Sequence, residues 1–278
     1  LQKKTYLILA SRLVPPSWKY LPTLTRNKVK RTFAVKKNNK FLFILSPPYC
    51  GSTMFNELIS TSKAVSVNNS FGTREGQTLP KVRKIMFNDN RWNEDIDFNW
   101  KIIKRQWLKY WDITHPILLE KSPPNIIRTK SLLKVFNPSF FIVFYRNPYA
   151  HCESLMRREN YTASDAAEFA IQCLKYQMEN ILYLPNHIQV SYEHLVDTPE
   201  ETIQRIQKFI PELNDLNHLQ SFSAHNYMSK SMGIENLNTD KINKLAEKDI
   251  KAINQVFSKN LAVLNFFEYD LVKSKYSA

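Results

Sequence analysis

Residues 40–59 read KFLFILSPPYCGSTMFNELI, and three kinds of local chemistry follow one another in that stretch. Phe41 to Leu45 is a continuous apolar run of strand length, without the polar alternation of a half-exposed strand. Pro47 and Pro48 stop it. Gly51, Ser52 and Thr53 then open a segment in which Met54, Phe55, Leu58 and Ile59 share one helical face. The reading is strand, tight loop, helix.

The pattern recurs downstream. FFIVFY at 140–145 is a second apolar run, Arg146-Asn147-Pro148 breaks it, and YAHCESLMRR has helical character. Shorter strands are expected at 116–119 and 187–191, and helices near 99–110, 127–136, 164–183, 198–209 and 240–259. Apolar strands separated by helices predict a single α/β domain, a mostly parallel sheet with helices on both faces and a phosphate-loop-like turn. That domain is expected over 40–278, behind a basic arm over 1–39.

Composition narrows the function. The 278 residues carry 39 Lys+Arg against 25 Asp+Glu, a formal charge of +14. This favours an acidic ligand: a nucleotide, a sulfated or phosphorylated molecule, nucleic acid or a membrane surface. Positions 1–56 hold no Asp or Glu, and eleven Lys or Arg precede position 41. The expected arm is packed by Tyr6, Leu13, Trp18 and Leu21, and it offers a route to membrane association. The run TYLILA at 5–10 is too short for a signal peptide and no cleavage site follows it. A first residue Leu1 is compatible with a removed leader or anchor. No apolar run has bilayer-spanning length. Cys50, Cys152 and Cys173 show no metal-ligand spacing and cannot all pair, which excludes a disulfide scaffold and a zinc site, and fits a reducing, cytoplasmic compartment. No recognition motif for nucleic acid accompanies the charge.

Glycine is scarce: Gly51, Gly72, Gly76 and Gly233 stand where average usage of about 7% would give roughly twenty. Gly51 lies where a strand meets a helix start, whose free N–H groups and dipole favour an anion. The frame Ser46, four residues, Gly51-Ser52-Thr53 lacks the first Gly and the Lys of the nucleotide-triphosphatase loop, so kinase or ATPase chemistry is not expected.

Pro47-Pro48-Tyr49-Cys50-Gly51-Ser52-Thr53 resembles the phosphate loop of sulfotransferases, which use 3′-phosphoadenosine-5′-phosphosulfate. The resemblance implies that Pro48, Tyr49, Cys50, Gly51, Ser52 and Thr53 form the 5′-phosphosulfate cradle. It departs at Tyr49, where the family usually carries a Lys or Arg that contacts the sulfonate. Arg146-Asn147-Pro148 with Ser154 eight residues after the Arg matches the family's 3′-phosphate site, and Arg158 shares Ser154's face. VSYEHLVDTPEETI at 190–203 resembles a further family stretch with a mainly structural role.

Transfer needs a base on the acceptor and positive charge beside the sulfonate. ILLEKSPPNIIR at 117–128 resembles the E-K-[ST]-P stretch of heparan-sulfate and related sulfotransferases. Glu120 is the expected base there, and Lys121 the cation replacing the one lost at Tyr49. Glu75, in SFGTREGQ between Gly72 and Gly76, is the competing base, by resemblance to tyrosylprotein sulfotransferases. His115 and His151 are read as structural or surface residues. Trp100, Ile103, Trp107 and Tyr110 form a core stripe, with Lys101, Lys104, Arg105 and Lys109 outward. The expected function is sulfonate transfer to a hydroxyl or amine of a small-molecule or glycan acceptor, with no metal. The alternatives are a weakened sulfotransferase-like nucleotide-binding protein and a glycan or protein-tyrosine sulfotransferase.

Overall fold

The computed structural model describes residues 18–33, 38–219, 222–223, 231–232 and 234–273. Tyr6, Leu13 and Gly233 lie outside them. Five strands form one sheet in the order β2-β3-β1-β4-β5, every pair parallel: β1 Lys40–Leu45, β2 Val65–Val67, β3 Ile117–Glu120, β4 Ser139–Tyr145 and β5 His187–Ser191. A two-stranded antiparallel ribbon, Phe222–Ser223 with Ser231–Met232, stands apart. The helices of more than one turn that matter below are α1 Leu21–Phe33, α2 Ser52–Ile59, α3 Trp100–Tyr110, α4 Thr129–Val135, α5 Pro148–Glu159, α6 Ala163–Tyr183, α7 Tyr192–Asp197, α8 Pro199–Phe209, α9 Asn238–Asn243 and α10 Glu247–Phe257.

The apolar runs form strands because both sheet faces are covered. Successive side chains of a strand point to opposite faces. Phe41, Phe43 and Leu45 therefore meet Trp107, Trp111 and Phe136 on one face, while Leu42 and Ile44 meet Phe55, Leu58 and Ile206 on the other. A third cluster joins α5, α6 and α10 through Tyr149, Ala166, Ala170, Ile253 and Phe257. The stripe on α3 is buried as its spacing predicts, with Trp100, Ile103, Trp107 and Tyr110 all 5% exposed or less.

Three elements differ from the expected layout. The strand Val65–Val67 is too short to show a period and is held as an edge by β3. The helix expected over 240–259 is two, α9 and α10, separated at 244–246. In the basic arm, Trp18 and Leu21 do not pack: they are 62% and 59% exposed. Tyr20 and Asn27 are the buried contacts, and Asn27 Nδ2 donates to the Tyr110 carbonyl at 2.7 Å.

β1 is central. The chain leaves it on one side for β2 and β3, then crosses back for β4 and β5. Such a reversal opens a crevice at the carboxyl ends of the strands. The loops after β1, β3 and β4 all converge there.

Candidate active site

A cavity of about 650 Å³ opens at that edge, lined by Gly51, Ser52, Thr53, Glu75, Lys121, Arg146 and Ser154 among others. Its floor is the loop after β1. Gly51 has φ +91°, and a Cβ there would lie 2.9 Å from the Tyr192 ring. Left-handed backbone and close approach both require glycine. Gly51 is also the N-cap of α2 and no side chain caps that helix, so its first N–H groups face the cavity without an internal acceptor. Pro48 and Tyr49 also line the cavity, whereas the Cys50 side chain is buried behind the loop, its thiol pushed up to about 12 by burial. Cys50 can contribute only its backbone.

Arg146 leaves the end of β4 and is 4% exposed. Its Nε donates to Asn238 Oδ1 at 2.6 Å and its guanidinium lies over the Tyr192 ring, 3.9 Å from the centroid. Its Nη2 is buried with no hydrogen-bond partner. A buried, unpaired guanidinium nitrogen is costly unless an anion completes it. Ser154 Oγ donates to the Ala150 carbonyl at 2.9 Å and accepts from Lys241. Lys241 reaches Glu153 at 3.3 Å, and its amine is lowered to about 8 by burial first and by the Arg146 charge second. Burial pushes the Glu153 carboxyl upward, yet Arg157 and Lys241 hold it below its ordinary range. Arg146, Ser154 and Lys241 thus gather positive charge and donors at one end of the cavity.

Lys241 and Tyr192 were not singled out from the sequence. Lys241 sits on α9 in no motif, nearly a hundred positions after Arg146. Tyr192 belongs to a stretch read as structural. The scarcity of glycine was the one available signal for it, because Gly51 is small to admit the Tyr192 ring.

Tyr49 donates to Glu159, and Arg158 stands 5.3 Å over its ring. A guanidinium therefore hangs at the mouth, above the position where the loop cation is missing. At the other end, Lys121 is almost wholly buried, with Nζ 3.3 Å from Glu75 Oε1 and 3.5 Å from Thr53 Oγ1. It bridges the phosphate loop and Glu75. Glu75 also accepts from Gln77 Nε2 at 2.6 Å.

Glu120 is placed differently. It is 0% exposed and does not line the cavity. Its oxygens accept from Gly76 N at 2.9 Å, from Ser122 Oγ and from Asn125 Nδ2. Burial raises its carboxyl to about 7, against the pull of those donors. The structure brings Glu75 and Lys121 together in the cavity and leaves Glu120 beneath the loop that carries Glu75. His151 is buried away from it, lowered to about 3 by burial, and His115 pairs with Asp112 at 3.5 Å. Among the described residues no group of three or more His, Cys, Asp and Glu could hold a metal ion.

An open parallel sheet with a cationic strand-end cavity, a cavity carboxylate and a bridging lysine has the parts of a group-transfer enzyme. The chain belongs to the sulfotransferase family, whose model matches residues 42–212. Membership makes it a sulfotransferase in the general sense. It is similar to the sulfotransferase domain from the curacin biosynthetic pathway, at 16% identity, 85% of this chain and 100% of the other, with TM-score 0.48. The sulfotransferase domain of the Synechococcus PCC 7002 olefin synthase matches at 18% identity, 86% and 98% coverage, TM-score 0.49. Sulfotransferase STF9 from Mycobacterium avium matches at 15% identity, 88% and 81% coverage, TM-score 0.48. No curated protein matches the chain.

Proposed function

We propose that the protein transfers a sulfonate from 3′-phosphoadenosine-5′-phosphosulfate to a hydroxyl or amine of a small acceptor, with Glu75 as the base. The observation that carries the donor is the buried, partnerless Nη2 of Arg146 beside Ser154 and Lys241. A cluster of this charge suits a phosphate dianion better than a hydroxyl. The free N–H groups at Gly51, Ser52 and Thr53 suit a second anionic group in the same cavity. The volume of about 650 Å³ is in the range of small-molecule sites.

The donor supplies a sulfonate on an activated phosphate. Glu75 faces the cavity and takes the acceptor's proton. Lys121, between Glu75 and Thr53, offsets negative charge where the sulfonate changes hands. Arg158 adds charge at the mouth in place of the cation absent at Tyr49. Glu120 holds the Gly76 N–H and so positions the neighbouring Glu75.

The test is calorimetric binding of 3′-phosphoadenosine-5′-phosphate against 5′-AMP. The 3′-phosphate should tighten binding by about 1.5–3 kcal/mol, and Arg146→Ala should erase that preference. Equal affinity for the two nucleotides in the wild type overturns the donor assignment. Tight binding of the nucleotide with no transfer to any hydroxyl or amine offered would favour a nucleotide-binding protein over an enzyme.

A further inference from the structure

Helix α1 packs through Leu24 and Asn27, with Tyr20 just before it, and it keeps a second, outward face. Pro22, Thr25, Val29 and Phe33 recur at helical spacing along that face, all exposed, with Leu21 beside them. Phe33 is 82% exposed, Val29 55% and the preceding Trp18 62%. The stripe carries no charge. Arg26 and Lys28, both exposed, flank it on opposite sides. On the other, packed side of the helix, where Arg31 reaches the Trp111 carbonyl at 3.4 Å, runs an open groove of about 590 Å³ whose charged lining is Arg31, Lys101, Lys104, Arg105, Lys109 and Lys134, with no carboxylate.

We infer that this face docks on an anionic lipid surface. An apolar stripe edged by cations is the pattern of a helix lying in the plane of a membrane interface, with Trp and Phe among the acyl chains and Lys and Arg among the headgroups. A soluble polyanion would satisfy the groove but would gain nothing from exposed Phe33, Val29 and Trp18, which selects lipid. The opposite, packed side of the same segment reaches the loop that carries Glu75. Tyr20 Oη donates to Asn69 Oδ1 at 3.3 Å, and Asn69 Nδ2 donates to the Glu75 carbonyl at 2.8 Å.

The experiment is cosedimentation of the full chain with vesicles of phosphatidylcholine alone or with phosphatidylglycerol added, at low and high salt. It needs no turnover, so its failure is separate from failure of the donor reading. Binding is expected on the anionic vesicles only, reduced by salt. Arg26→Glu and Lys28→Glu should each weaken it at least about fivefold. Val29→Asp with Phe33→Asp should remove it, while all variants keep the wild-type melting temperature and nucleotide affinity. Three results overturn the inference. The first is no vesicle binding, or binding that ignores lipid charge. The second is binding untouched by the Val29 and Phe33 changes, which would give the surface to a polyanion. The third is a wild-type dimer that those changes split, which would give it to a second copy of the chain.

Discussion

Two glutamates lie within one loop and one strand end of each other and meet opposite fates. Glu75, on the loop before Gly76, lines the cavity and pairs with Lys121. Glu120, the last residue of β3, is sealed below that loop among Gly76, Ser122 and Asn125. Burial gives Glu120 the raised carboxyl expected of a base, at about 7. It lacks access. A base must reach its proton before its pKa matters, so a perturbed carboxyl in this fold is a sign of position in the core and access to the cavity decides the chemistry.

The sharpest way to break this comparison is to neutralise each carboxylate in turn. Glu75→Gln should cut turnover by about 10²–10⁴, the usual contribution of a general base, with nucleotide affinity retained. Glu120→Gln should keep most of the turnover. A Gln there can donate to Asn125 once that amide turns its oxygen inward, and Asn125 Oδ1 now has no partner. If Glu120→Gln is dead and Glu75→Gln active in the same assay, the two roles exchange.

A second test uses pH. The Glu120 carboxyl is raised from 4.5 to about 7 in the folded chain. Its protonated form is the one the fold favours. Its contribution to stability is therefore whole below about pH 4.5 and drains away as pH rises through about 7, a loss of about 3 kcal/mol. Denaturant titrations between pH 4 and 8 should show that decline in the wild type and a flatter profile in Glu120→Gln. An unchanged slope in the variant would mean that folding leaves the Glu120 carboxyl unshifted.

The smallest change addresses the boundary between the two residues. A Cβ on Gly76 would sit 2.5 Å from Asn68 Nδ2, 2.7 Å from Glu120 Oε1 and 2.8 Å from Trp107 Nε1. Gly76→Ala should cost about 1–3 kcal/mol, as other overpacked sites do, and lower turnover by shifting the Glu75 loop. A variant as stable and active as wild type would show that the loop is looser than its contacts imply.

The sheet was legible because β1, β3 and β4 are written as apolar runs, and the tight turn after β1 because Gly51 is one of few glycines. Arg146 and Ser154 were paired through their resemblance to the family's motif, and both line the cavity. The choice between Glu75 and Glu120 could not be made that way, since both flank the same lysine in the fold and burial is a property of what packs above them. Lys241 was invisible for a different reason. It arrives on a separate helix, and nothing local to it marks the partner it meets. The exposure of Trp18 and Leu21 was likewise hidden, because a helix with two usable faces does not say which one is covered.

Arg146 and Ser154 come from the middle of the chain and are joined by Asn238 and Lys241, both on α9. A nucleotide bound as proposed would act as a removable clasp between two distant stretches of polypeptide. Bound ligand should slow amide exchange across Asn238–Asn243 more than across the sheet, and raise the melting temperature in step with its own concentration. Without nucleotide, that region should be the one most open to proteolysis.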